Sequence, residues 1–122
     1  MKCTASFRTI EEIDSLLQRE TKVMTLQKDY LTFINHKKCD INLLHLTTKL
    51  LSDIKDCQYY IENTLKTDNK LKRKDKDIIY MRALSLISGA IEELKKRVSD
   101  LKKLSVLNEK ELNEVLDQIF KL

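Results

Sequence analysis

The chain has 122 residues, 23 Lys or Arg against 19 Asp or Glu, one Gly and no Pro. At that length a single domain burying about 65% of its extendable surface is expected. The lack of Gly and Pro excludes most β-rich folds, whose hairpins and corners draw on those residues, and excludes Gly-rich phosphate loops and dinucleotide fingerprints. The fold class expected is all-α: an antiparallel bundle of three long helices plus a short C-terminal helix, one domain over residues 1–122.

Thr9-Ile10-Glu11-Glu12 has the form of a capping box and opens a first helix expected over 9–35. Ile10, Ile13, Leu17, Met24, Leu31 and Ile34 keep helical spacing. Leu16, Val23, Leu26, Tyr30 and Phe33 form a second, adjacent stripe. Two stripes make a face wider than a two-stranded seam, so this helix should meet more than one neighbour. A polar break at 36–39 follows, with Asp40 as the N-cap of a second helix over 40–66. Leu43, Leu46, Leu50, Ile54, Cys57, Ile61 and Leu65 define its buried face, widened by Leu44, Leu51 and Tyr60.

Residues 66–76 read as a solvated loop with six basic and two acidic side chains. The net charge of that window, +4, equals that of the whole chain, so one segment is basic and the rest is neutral. Lys70, Lys72, Arg73 and Lys74 are the candidate anion contacts. No aromatic side chain interleaves with them, which argues against stacking on nucleic-acid bases.

A third helix is expected over 76–104. Its seam runs through Tyr80, Leu84, Ile87, Ile91, Leu94, Val98 and Leu101, alternating steps of four and three as in a coiled coil. Gly89 inside it reads as a close helix–helix approach. Asn108 to Glu111 form a second capping box, with Leu107 as the staple for Leu112, opening a helix over 109–121. Leu112, Val115, Leu116, Ile119 and Phe120 are its apolar face. That face either caps the bundle or reaches a partner. The helical pattern is still running at Leu122, so the chain reads as the leading part of a longer protein.

Few residues suggest chemistry. Cys3, Cys39 and Cys57 are odd in number and widely spaced, which fits a reducing compartment, cytosol or nucleus, better than a disulfide framework. His36, Cys39 and His45 lack the paired spacing of a zinc site and would need Cys3 or Cys57 to complete one. No carboxylate stands in an apolar run that would raise its pKa for acid–base work. Glu20, between Leu17 and Met24, comes nearest, and is expected to pair with a Lys of another helix or to lie at the bundle edge. The acidic dileucine pattern ending at Leu16-Leu17 and the tyrosine-type pattern Tyr30-Leu31-Thr32-Phe33 both arise readily in amphipathic helices, so they read as core. No stretch reaches the 18 or so apolar residues of a membrane span. Catalytic residues, cofactors, metals and a small-molecule substrate are not expected.

Leu51-Ser52-Asp53-Ile54-Lys55-Asp56-Cys57 and Arg97-Val98-Ser99-Asp100-Leu101-Lys102-Lys103-Leu104, set within three helices of nearly equal length, resemble the N-terminal helical regulatory domains of SNARE proteins. The nearer likeness is to the ER-resident SNARE of the Sec-twenty type. The resemblance implies a domain on the cytosolic face of the ER. It would dock on a subunit of a multisubunit tethering complex in retrograde vesicle traffic, with the SNARE motif and membrane anchor beyond Leu122. Gln27 lies in an apolar stripe, as a Gln does in SNARE central layers, but the stripe is too short for a SNARE motif.

The leading expectation is thus a non-enzymatic protein-interaction domain. It would bind another helical protein through Leu16, Val23, Leu26, Tyr30 and Phe33, or through Leu112 to Phe120. Membrane contact would come through parts outside this chain or weakly through the basic loop. The alternative is a coiled-coil subunit of a kinetochore or cytoskeletal assembly, in which the third helix pairs between chains.

Overall fold

A computed structural model describes residues 9–104 and 109–122. Cys3, Leu107 and Asn108 lie outside those residues. The described chain is helical, with α1 Ile10–Gln18, α2 Thr21–Asn35, α3 Ile41–Tyr59, a π-helical turn Tyr60–Thr64, α4 Leu65–Thr67, α5 Arg73–Lys96, α6 Val98–Leu101 and α7 Glu109–Phe120. No described helix is long and apolar enough to cross a membrane.

Two expected caps form. The Thr9 hydroxyl accepts from the Glu12 N–H at 3.1 Å, and the Asp40 carboxylate accepts from the Leu43 N–H at 3.2 Å. Each satisfies a donor that the first helical turn leaves without a partner.

The expected first helix is broken at Arg19–Glu20, without Gly or Pro. Glu20 leaves helical geometry, with φ −96° and ψ 85°. Two tertiary gains offset the lost helical bonds. The bend lets Leu16 and Leu17 both turn inward. It also leaves the Glu20 carboxylate where the Tyr60 hydroxyl donates to it. Glu20, expected to pair with a lysine or to lie at the bundle edge, is half-buried and finds a phenol across the bundle. Burial first, and then the Glu20 charge, hold that phenol protonated far above its ordinary range.

The second helical run continues to Thr67 through the π turn. Its buried residues Cys57, Ile61 and Leu65 step by four twice. In a regular α-helix two such steps rotate a side chain about 80° off the core-facing line. The extra residue in the π turn takes up that drift, so all three stay in the core.

The loop expected over 66–76 is shorter than that. Lys66 and Thr67 belong to α4, and Arg73 to Lys76 form the first turn of α5, leaving 68–72 non-helical. Lys and Arg are good helix formers whatever their charge, and Asp75 suits the positive end of the helix dipole.

The third run also breaks, at Arg97 (φ −97°, ψ 7°). There the guanidinium donates to the Phe33 carbonyl at 2.9 Å and stands 5.0 Å over the Phe33 ring centroid. This contact ties the end of α5 to the end of α2. We expect Arg97→Ala to cost about 2 kcal/mol, from one charge-assisted hydrogen bond and one cation–π contact. Urea unfolding of the two proteins checks it.

Cross-helix contacts set the directions. Glu20 meets Tyr60, Lys22 faces Asp56 at 3.8 Å and Lys49 faces Asp29 at 3.4 Å, so α3 runs against α2. Arg82 donates to Gln27 at 3.0 Å and Arg97 to Phe33, so α5 runs along α2. One continuous core lies among them. Val23, Leu26, Phe33, Leu43, Leu50, Ile54, Ile79 and Leu94 are fully shut from solvent. Each contributes about 1.5–3 kcal/mol of apolar transfer.

The inner face of α5 differs from the expected seam. Ile79, Ala83, Leu86 and Ala90 point inward with Ile87 and Leu94, while Leu84, Ile91 and Val98 are half-buried and Tyr80 is 41% exposed. Small residues let the helices approach. A Cβ built on Gly89 would stand 3.0 Å from the Tyr30 hydroxyl oxygen, so the close approach expected there is present.

Candidate interaction surface

Of the two apolar stripes on the first helical run, the fold turns one inward. Leu16, Val23, Leu26 and Phe33, expected as partner anchors, are buried in the chain's own core. Tyr30 is half-buried against Gly89. An interior that already holds these side chains leaves nothing of them for a partner without unfolding. Of the two sorting-type patterns, Leu16-Leu17 and Phe33 are buried, Tyr30 is half-buried, and Leu31 and Thr32 are exposed.

The other stripe is divided: Leu17 is buried, and the rest stays partly outside, with Ile13, Met24 and Ile34 resting on the core. Ile10 is 75% exposed and Leu31 47%, with Ile13, Met24 and Ile34 half-buried between them. Beside this stripe the packing of α1 on α2 and α5 leaves a cavity of about 460 Å³, lined by Ile13, Leu17, Met24, Gln27 and Arg82 among others. The Arg82–Gln27 hydrogen bond bridges one side of it. A second depression, of about 350 Å³, shares Met24 and Gln27 and extends along α2 to Leu31. The two make one groove with a mixed floor, apolar where the methionine and leucines stand and amide where Gln27 does.

The C-terminal helix packs against α3 and α5. Leu116 and Ile119 are buried, Leu112 and Val115 half-buried, and Phe120 is 60% exposed. Lys55 donates to the Gln118 side chain at 2.8 Å and Lys95 to the Leu122 carbonyl at 3.4 Å. Of its five expected anchors, Phe120 keeps most of its surface for a partner. The four candidate anion contacts are all exposed, Lys70 and Lys72 in the turn, Arg73 and Lys74 on α5.

The His36, Cys39, His45 string is dispersed. His36 Nε2 lies 2.9 Å from Asp40 Oδ1, the Cys39 thiol donates to the Asp100 carbonyl at 2.8 Å, and His45 is exposed on α3. Among the described residues no group of three His, Cys, Asp or Glu side chains is placed to share a metal ion.

One polar cluster went unforeseen. Asp29 of α2 is 5% exposed and meets Asp53 of α3 across the interface. The Oδ2 atoms of both are buried, and neither has a donor among the described side chains. Two such carboxylates side by side cannot both be ionised cheaply, so they share one proton as a hydrogen bond. Burial, with the Asp29 hydrogen bond and charge, raises the Asp53 pKa to about 7. Lys49, 3.4 Å from the other oxygen of Asp29, moderates the repulsion. One turn on, burial and the Asp53 charge push the Cys57 thiol up to about 11, so it stays protonated. The expectation that no carboxylate sits in apolar surroundings fails here. The signal was in the spacing: Asp29 follows Leu26 by three and precedes Phe33 by four, while Asp53 precedes Cys57 by four.

Compared with family models, with curated proteins and with solved structures, the chain matches none.

Proposed function

We propose that this chain is a non-enzymatic interaction domain of the kind found at the N-terminus of ER SNAREs, acting on the cytosolic side by docking a helix of a tethering-complex subunit. The observation that carries the reading is the partly exposed stripe Ile10, Ile13, Met24, Leu31 and Ile34, which stays beside a groove while the core behind it is already filled. A partner helix laid there would place apolar side chains every three or four residues along α2, with Gln27 and Arg82 for its polar contacts. An up-down-up bundle of α2, α3 and α5, flanked by α1 and α7, is the scaffold this reading assumes.

In this reading the titratable groups between α2 and α3 are structural. Asp29 and Asp53 are spent on each other and on Lys49, and the Cys57 thiol is protonated. No cofactor or small-molecule substrate is part of the proposal. Pairing between chains through the third helical run is less favoured, because Ile87, Leu94 and Leu101 already fill this chain's own core.

Calorimetric titration of purified tethering-complex subunits, one at a time, tests the proposal. One subunit should bind the wild type. Leu31→Glu should weaken that binding at least about tenfold, the scale of one buried leucine, with an unchanged melting curve. Failure of every subunit to bind would overturn the tethering role. Undiminished binding by Leu31→Glu would overturn the surface.

A further inference from the structure

We propose that the cleft between α4 and the start of α5 is a docking site for an acidic protein segment with a large apolar anchor residue. The site is separate from the α2 groove and stands independently of the tethering reading.

The cleft forms because the chain reverses over 68–72 and lays the first two turns of α5 beside the π turn and α4. Lys76 ties the two walls, donating from Nζ to the Lys66 carbonyl at 3.3 Å. Between the walls is a cavity of about 290 Å³. Ile61 and Leu65 close its base but are each only 3% exposed, so the apolar surface a partner can reach is that of Tyr80, 41% exposed, on one side. Its rim is cationic: Lys66, Arg73 and Lys76, against the single acid Asp77. The turn beside it adds Lys70 and Lys72.

What sets these cations apart is their clustering, six between residues 66 and 76; elsewhere some cations are ion-paired and others, such as Lys28 and Lys55, are not. Lys22 pairs with Asp56, Lys49 with Asp29, and Lys96 with Glu92 and Glu93. Among the described residues, none of the six cations of 66–76 has a carboxylate within ion-pair distance. The segment carries six cations against Asp68 and Asp75, a net charge of +4 that equals the whole chain's. An acidic partner gains charge-assisted contacts that this chain does not supply to itself.

The recess and its tyrosine select the class of partner. Charge alone would suit a phospholipid surface or a nucleic acid equally. A cleft walled by the Tyr80 ring under a cationic rim instead takes one inserted side chain, flanked by carboxylates. A lipid surface would be met by apolar side chains standing out from the turn, and the turn's one apolar residue, Leu71, is half-buried. Successive bases would need several exposed rings among the cations, whereas the cleft has Tyr80 alone and residues 66–76 contain none.

The probe is a fluorescein-labelled peptide of about nine residues, Asp and Glu around a central Phe, read by anisotropy at low and near-physiological salt. Binding should weaken about tenfold or more when the central Phe is replaced by Ser. The double variant Lys66→Glu/Arg73→Glu should lose binding to a similar degree. Both side chains are exposed, so its circular dichroism should match the wild type. Leu31→Glu should bind the peptide normally, which separates this site from the α2 groove. Equal affinity for the Phe and Ser peptides would overturn the proposal, leaving only a diffuse charge effect. So would tighter binding to phosphatidylserine vesicles or to single-stranded RNA than to the peptide.

Discussion

Leu26→Glu unfolds the domain, whereas Leu31→Glu, five residues along the same helix, leaves it folded. Leu26 is fully buried between α2 and its neighbours, and Leu31 is 47% exposed. Removing the Leu26 side chain to Ala would alone cost about 3 kcal/mol in transfer and cavity terms. Glu adds a carboxylate with no partner in an apolar interior, a further several kcal/mol unless it takes up a proton. Against a total stability of about 5–15 kcal/mol for a domain of this kind, that removes most or all of it. A surface change such as Leu31→Glu stays within about 0.5 kcal/mol. Thermal melts by circular dichroism separate the two: loss of the cooperative transition for Leu26→Glu, an unshifted midpoint for Leu31→Glu.

The second large effect is on pH. The Asp53 carboxyl titrates near 7 in the folded chain and near 3.8 when unfolded. Between those values the folded state holds a proton that the unfolded state has released. The stability contributed by the protonated pair is therefore complete below about pH 4 and is lost as pH rises through about 7. Asp53 is partly exposed, so solvent screens much of the repulsion. An effect of about 1 kcal/mol, or about 5 °C in Tm, is expected between pH 5 and pH 8.5. Asp53→Asn keeps a donor for Asp29 at every pH and should flatten that slope. Lys49→Ala should steepen it, by removing the cation that moderates the pair. An unchanged slope in Asp53→Asn would mean that the pair does not share a proton.

The caps at Thr9 and Asp40, the polar break at 36–39 and the buried face of α3 were legible in the sequence because each is a local pattern. Thr9 and Asp40 cap where spacing alone places them. What spacing could not show was which of two equally apolar stripes would face inward. Leu26 and Leu31 look alike in a helical projection. The choice was made by Tyr30 meeting Gly89, by Phe33 meeting Arg97 and by Asp29 meeting Asp53 and Lys49. All are contacts between residues distant in sequence.

The breaks at Glu20 and Arg97 were hidden for the same reason. Neither has a Gly or Pro, and each follows from one long-range contact, Tyr60 to Glu20 and Arg97 to Phe33. The basic segment misled in another way. Its lack of apolar residues looked like a loop, yet Lys and Arg extend a helix readily once α5 is anchored by Ile79 and Ala83. The cleft it borders was not visible in the charges alone, because its base comes from Ile61 and Leu65 on a different helical run.

The central claim is that one chain spends its inner stripes on its own core and keeps the outer stripe of α1–α2 for a partner. The most direct test is the mass of the purified chain in solution, by size-exclusion chromatography with light scattering. The account predicts a monomer of 14.4 kDa. A dimer of twice that mass that persists in Leu31→Glu would contradict it, because the third helical run would then be pairing between chains.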